Sequence, residues 1–454
     1  MLMYNPILAA DGYRDRRRRV LEQMDANSVA VVAGAPEENG LKLFRQANDF
    51  YYLCGVESPQ SYLLFDTRNN TTTLFLPHQS ETERDNSGEI PSVETADKVI
   101  AASGVDEVLG VEKLASRLER VARIYTPFRE GAASMTSWDT HIAGRIGRFS
   151  DPWDGTLDRF AHFIELLRKR YPIADIVDLA PILNDMRVVK DAHEIDLLRR
   201  SGKLTARALI EAIKSTREGV YEYQLAAVLD YVYMSHGARG RAYNAIMASG
   251  ANAWHGHYAA NSSVLKNGEL MLGDCAPDYR YYASDITRMW PVNGSYTDEQ
   301  RQLYGFMVDF HKAYLEEIKP GLTDEEIRLT VAARMKKIAS ATKWKRPSFE
   351  RAAQWSLDFP YHMSHPVGLA CHDDGHYRGK PLVPGVVLAL DPQIRLPEEK
   401  MYLRVEDTIV VTENGVENFT EDAPLELDEI EALMKEDGLL QAFPADAFPL
   451  IPLC

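Results

Sequence analysis

Four acidic side chains stand in or at the ends of apolar, strand-like runs in the C-terminal half of this 454-residue chain. No other feature constrains the fold as tightly. Asp274 ends Leu270-Met271-Leu272-Gly273, and Asp285 lies inside Tyr281-Tyr282-Ala283-Ser284-Asp285-Ile286-Thr287-Arg288. Asp391 follows Val386-Val387-Leu388-Ala389-Leu390, and Glu406 lies within Leu403-Arg404-Val405-Glu406-Asp407. Aspartate is disfavoured in strand interiors, and a buried carboxylate without a charge partner is costly. Any one of the four reads as an ordinary strand-end or salt-bridged acid. Four together call for cations. A hairpin turning through Asp278 to Arg280 can bring Asp274 and Asp285 side by side. The two-residue strand period puts Arg404 and Glu406 on one face.

Histidines accompany these acids. The segment His362-Met363-Ser364-His365-Pro366-Val367-Gly368-Leu369-Ala370-Cys371-His372-Asp373 is dense in them, and His257 stands in His255-Gly256-His257-Tyr258. One histidine alone is usually a surface or satisfied core residue; several beside four acids point to a site. Other catalytic signatures are missing. His193-Glu194 is followed at residue 197 by leucine rather than a second histidine, and there is no Gly-x-Ser-x-Gly elbow or phosphate-binding glycine loop.

The length predicts two domains. Residues 1–172 read as an α/β domain, with strand signals at Ser28–Ala33, a hairpin over Tyr62–Phe65 and Thr71–Leu76, and further strands at Val99–Ala102 and Val121–Thr126. Residues 173–454 read as an α+β domain, with helices over His193–Lys214, Tyr221–Ser235 and Asp298–Ile318 among strands at Glu269–Leu272, Tyr281–Val292, Val386–Leu390 and Tyr402–Val411. Arg14 to Arg19 is expected to be the solvated face of an N-terminal helix. The last fifteen residues form an apolar tail, with Phe443, Phe448 and Leu450, that docks on its own domain or on a neighbouring subunit. The net charge of −16 repels nucleic acid and anionic membranes. No run approaches the roughly 18 apolar residues that span a bilayer. The start lacks the basic-then-apolar order of a secretory signal, and Cys54, Cys275, Cys371 and Cys454 show no Cys-x-x-Cys spacing. A cytoplasmic location is the expectation.

The ordered pattern Gly-Asp-x(10)-Asp-Ile-Thr-Arg, His-x-x-Gly-Leu-x-x-His-Asp, Asp-Pro and Arg-Val-Glu-Asp resembles the pita-bread metallopeptidases. These include aminopeptidase P, prolidase and methionine aminopeptidase, with creatinase as a metal-free cousin. Phe44 to Val56 resembles the aminopeptidase P N-terminal domain, and Met186 to Asp191 with Glu194 resembles the entry to the catalytic domain. The resemblance implies a pita-bread catalytic domain whose metal ligands are Asp274, Asp285, His365, Asp391 and Glu406. Four carboxylates then balance two divalent cations. Manganese is expected, with zinc, cobalt or iron as alternatives for such an oxygen-rich set. Two ions roughly 3.5–4 Å apart can activate a water for peptide hydrolysis. By the same resemblance His257 contacts substrate, His372 helps hold the scissile carbonyl or its oxyanion, and Arg404 orients a ligand carboxylate. The implied substrates are proline-containing peptides, cleaved at the Xaa-Pro bond, and the implied assembly is a homodimer or homotetramer.

The chain departs from the family pattern at three places. Asp391-Pro392-Gln393 replaces Glu-Pro-Gly, shortening one ligand that also serves as the family's proton shuttle. Tyr361 occupies the usual pocket-histidine position, with His362 one residue later. Arg395 stands where an aromatic is common. Aminopeptidase P activity is therefore read ahead of prolidase, partly on Asp49-Phe50-Tyr51-Tyr52-Leu53. A pita-bread binding protein without peptidase activity stays open because of Asp391, and a creatinase-like enzyme, which needs no five-ligand set, stands last.

Overall fold

Val29–Ala33 is a run of five buried small and β-branched residues, and it forms the central strand β1 of a mixed sheet. The computed structural model describes residues 8–37, 43–129, 138–359 and 364–443. They divide into two units, Met1–Arg187 and Val188–Cys454. This boundary lies beyond the expected 172, because Asp175–Asp178 is itself a strand of the first sheet.

In the first unit, β2 (Tyr62–Asp66) pairs antiparallel with β1 and with β3 (Thr71–Leu76). Strand β4 (Glu107–Gly110) runs parallel to β3, β5 (Arg123–Thr126) runs parallel to β1, and β6 (Asp175–Asp178) runs parallel to β5. The sheet order is β4-β3-β2-β1-β5-β6. Val99–Ala102, expected as a strand, lies in the helix Ala96–Ser103, which ends at Gly104 in the left-handed conformation. The arginine-rich stretch is only partly solvated. Arg14 and Arg18 are exposed, but Arg16 and Arg17 are buried in the helix Ala10–Gln23. They donate to the carbonyls of Tyr52 (3.1 Å) and Leu53 (2.9 Å) at the C-terminal end of the helix Asn48–Cys54. That end carries carbonyls without partners inside the helix and the negative pole of the helix dipole, which explains buried cations there. Burial still pulls the Arg17 guanidinium down to about 10.

The second unit begins with the helix Ala192–Ser215, capped by Asp191 and Glu194 in a reciprocal capping box. Its core joins this helix, the helices Glu222–Ser235 and Asp298–Glu317, and the inner faces of three sheets. Strands β7 (Ile246–Ser249), β8 (Leu270–Cys275) and β9 (Ile286–Pro291) form an antiparallel sheet in that order. Strands β10 (Ser364–Pro366), β11 (Val387–Leu390), β14 (Asp407–Val411) and β15 (Val416–Asn418) form a second antiparallel sheet. A hairpin of β12 (Gln393–Leu396) and β13 (Met401–Arg404) completes the set. The expected strand Tyr402–Val411 is thus two strands, broken at Val405–Glu406 where the chain passes from one sheet to another. Two helices without a sequence expectation, Asp324–Ala341 and Pro347–Asp358, pack beside the helix Asp298–Glu317 and β12.

His362, Tyr361 and the tail residues Phe448 and Leu450 lie outside the described residues, while Phe443 is exposed. Among the described residues, no helix is long and apolar enough to cross a membrane.

Candidate metal centre

Antiparallel pairing of β8 and β9 sets Asp274 opposite Thr287, so Asp285, two residues before Thr287, projects from the same face. The strand β9 begins only at Ile286, because Arg280 and Tyr281 adopt left-handed backbone conformations that turn the chain. Gly273 permits the close packing beneath Asp274: a Cβ there would lie 2.4 Å from the Trp290 ring. In the second sheet, β10 opposite β11 places His365 across from Ala389, and β11 opposite β14 places Leu390 across from Asp407. Asp391 follows directly at the end of β11. Glu406 is tied to the first sheet by mutual backbone hydrogen bonds with Thr287, at 3.2 and 3.1 Å. The sheets therefore bring residues more than one hundred positions apart to one point.

There Asp274, Asp285 and Glu406 offer carboxylate oxygens within 4.8 Å of one another. His365, Asp391 and Glu406 form a second such group, and Asp285, His365 and His372 a third. Because Asp285, His365 and Glu406 each belong to two groups, the donors form one continuous cluster. His372 packs on His365 with ring centroids 4.1 Å apart. His257 belongs to none of these three groups and is exposed on the loop after the turn Gly250–Trp254.

Arg404 donates through Nη2 to Asp274 and through Nε to Thr287 Oγ1 (3.0 Å), with Glu406 Oε2 at 3.5 Å. One guanidinium thus braces two carboxylates. Sequence reasoning missed four further partners. The Tyr243 hydroxyl sits between Asp274 Oδ1 and Asp285 Oδ1 (2.6 Å to the latter). Cys371 Sγ donates to Asp285 Oδ2 at 2.7 Å. Thr287 Oγ1 donates to Glu406 Oε2 at 2.7 Å, and Thr408 Oγ1 accepts from the Asp285 backbone N–H, also at 2.7 Å. Thr287 was within reach of the two-residue period counted from Asp285. Tyr243, which precedes β7, carries no such signal.

The electrostatics are those of a site with too much negative charge. Burial, then Glu406, pushes Asp285 up to about 6, and the same two causes push Asp391 well above its ordinary value. Burial alone would pull His365 down, but Glu406, Asp391 and Asp285 outweigh it and raise it to about 9. Burial opposes ionisation of Glu406, yet Arg404 and then His365 hold it at about 2. Burial, then Asp285, keeps the Tyr243 hydroxyl protonated well past its usual range, and its one proton serves one carboxylate at a time. Asp391 Oδ1 is buried with no hydrogen-bond partner. An orphaned carboxylate oxygen beside three other acids is what a divalent cation satisfies, and a set of oxygens with imidazole suits manganese, iron, cobalt or zinc. The residues present fit the group.

Residues 196–413 match the model of metallopeptidase family M24, and residues 13–126 match the aminopeptidase P N-terminal domain. The chain is 30% identical over 452 residues to the Xaa-Pro aminopeptidase of Escherichia coli K12, covering 93% of this chain and 97% of that protein. It is 28% identical over 416 residues to human Xaa-Pro aminopeptidase 3, covering 87% and 77%. Among solved structures, proline aminopeptidase P II from Yersinia pestis aligns with a TM-score of 0.78 at 29% identity, over 94% of this chain and 100% of that one. Escherichia coli aminopeptidase P with the inhibitor Pro-Leu aligns with a TM-score of 0.77 at 29% identity, over 94% and 98%. With an α/β first unit, a pita-bread second unit and this full-length likeness, the chain belongs to metallopeptidase family M24, among the members that carry an aminopeptidase P N-terminal domain.

Proposed function

We propose that the protein is an Xaa-Pro aminopeptidase that hydrolyses the bond before a penultimate proline in peptides. The observation that carries this reading is the continuous buried cluster of four carboxylates and one imidazole, with an orphaned Asp391 oxygen, in an M24 chain. In this reading Asp274, Asp285, His365, Asp391 and Glu406 hold two divalent ions, manganese ahead of zinc, cobalt or iron. When bound, such ions lower the pKa of a water and stabilise charge developing on a carbonyl oxygen.

The chain's own residues do the positioning. Arg404 holds the carboxylates of Asp274 and Glu406 in place, so neither swings away when substrate charge approaches. Thr287 and Thr408 fix Glu406 and the backbone of Asp285. Asp391 serves as proton acceptor at its carboxylate, His372 helps hold the scissile carbonyl or its oxyanion, and His257 contacts the substrate. An Xaa-Pro bond lacks the N–H that general peptidases use for positioning, so recognition rests on the ring and on such contacts. The relatives named Xaa-Pro aminopeptidase support this substrate class over the dipeptides of prolidase. A homodimer or homotetramer in a reducing cytoplasm completes the reading, the latter in keeping with the buried thiols of Cys54, Cys275 and Cys371.

The test is hydrolysis of an Xaa-Pro-Yaa tripeptide by metal-loaded enzyme, with a chelated control and an Xaa-Pro dipeptide alongside. Tripeptide cleavage that chelation abolishes is expected. Cleavage of the dipeptide alone would make the protein a prolidase, and turnover of neither with metal bound would turn the reading toward a binding protein.

A further inference from the structure

On the strand β12, Ile394 and Leu396 are buried, while Gln393 and Arg395 alternate with them on a partly accessible face. Arg395 stands four residues after the proposed ligand Asp391. Its guanidinium lies over the Tyr402 ring at 4.7 Å and near the Trp254 ring at 5.6 Å. Its Nε donates to Gln393 Oε1 at 3.2 Å. A Cβ built on Gly256, between His255 and His257, would stand 3.8 Å from Arg395 Nη2. The charge is thus held against the loop that carries His257. The neighbouring arginines are matched: Arg346 with Glu299, Arg351 with Glu398, and Arg404 with Asp274. Among the described residues no carboxylate lies within ion-pair distance of Arg395, in a chain whose net charge is −16. A half-buried planar cation, stiffened by two aromatic rings and left without a counter-ion, is prepared to receive a carboxylate from outside.

We propose that Arg395 is a specificity residue that binds a carboxylate on the residue following proline, a selectivity that rests on the Xaa-Pro reading above. The reach is consistent. Four residues from Asp391 to Arg395 span at most about 13 Å. A substrate's two residues after the scissile carbonyl extend about 7 Å, and the long arginine side chain covers the remainder. The carboxylate is the C-terminus of a tripeptide or an acidic side chain at the same position.

The experiment measures kcat and KM for Xaa-Pro-Ala as free acid, Xaa-Pro-Ala amide and Xaa-Pro-Asp amide, with wild type, Arg395→Gln and Arg395→Lys. Wild type is expected to favour at least one carboxylate-bearing substrate over the Ala amide by on the order of tenfold to a hundredfold, through KM. Preference for the free acid identifies the C-terminus as the source, and preference for the Asp amide identifies the side chain. The ratio should collapse toward one in Arg395→Gln and survive in part in Arg395→Lys. Equal kcat/KM for all three substrates in wild type, or a ratio that persists in Arg395→Gln, would overturn the role of Arg395 while leaving the peptidase reading intact. Cleavage of none of the three would defeat both.

Discussion

Arg288 is 1% exposed and donates to Asp407 Oδ1 at 2.8 Å, to the Glu406 carbonyl at 2.7 Å and to the Pro424 carbonyl at 3.1 Å. Asp407 is fully buried and also receives His311 Nε2 at 2.7 Å and the Thr420 hydroxyl. Replacing Arg288 with methionine keeps apolar bulk but strands a carboxylate and frees the carbonyl of a proposed metal ligand. Removing one member of a buried pair costs about 3–5 kcal/mol; the two donors left to Asp407 favour the lower end, about 3 kcal/mol. Guanidinium unfolding followed by tryptophan emission reports this, since four of the six tryptophans, Trp254, Trp290, Trp344 and Trp355, lie in the second unit. The two units are to be fitted as separate transitions. Arg288→Lys should fall between, because one ammonium cannot reach all the acceptors. A loss below about 1 kcal/mol in Arg288→Met would refute the reasoning that this pair anchors Glu406.

The same pair sets a pH dependence. Burial pushes the Asp407 carboxyl up, but Arg288 and then His311 outweigh it and hold it well below the usual carboxylate range. A folded value below the unfolded one, about 3.9, gives stability that is present above about pH 4 and lost as pH falls further. In Arg288→Met the burial is less opposed, so acid unfolding of the second unit should depend less steeply on pH; an unchanged slope would contradict it. Asp391→Glu should maintain or raise kcat/KM, since it restores the longer side chain of the family pattern; a large loss would mean that the site is rebuilt around aspartate. His257→Ala should leave metal content intact and lower kcat on the order of a hundredfold, and unchanged kinetics would remove His257 from the site.

The closeness of Asp274 and Asp285 was legible because period and hairpin length are local properties, although the register sets Asp274 opposite Thr287, two residues beyond Asp285. Asp391 and Glu406 were legible as costly acids in apolar runs. What escaped was set by distant partners. Arg16 and Arg17 look solvated until the helix Asn48–Cys54 supplies carbonyl acceptors 36 residues away. Tyr243 shows no period that links it to carboxylates 31 and 42 residues on. Val99–Ala102 has strand-forming composition, but Gly104 closes a helix over it. The helix Asp324–Ala341 carried a visible capping box, Thr323 with Glu326, yet its weak amphipathicity hid it.

Elemental analysis of divalent metal in wild type and Asp285→Ala, purified and dialysed side by side, bears most directly on the proposed centre. Asp285 joins two of the three donor groups, so its loss should be felt across the whole cluster. Wild type is expected to hold close to two equivalents per chain, and the variant to show a clear deficit together with loss of Xaa-Pro turnover. Full metal occupancy in Asp285→Ala would contradict the ligand assignment.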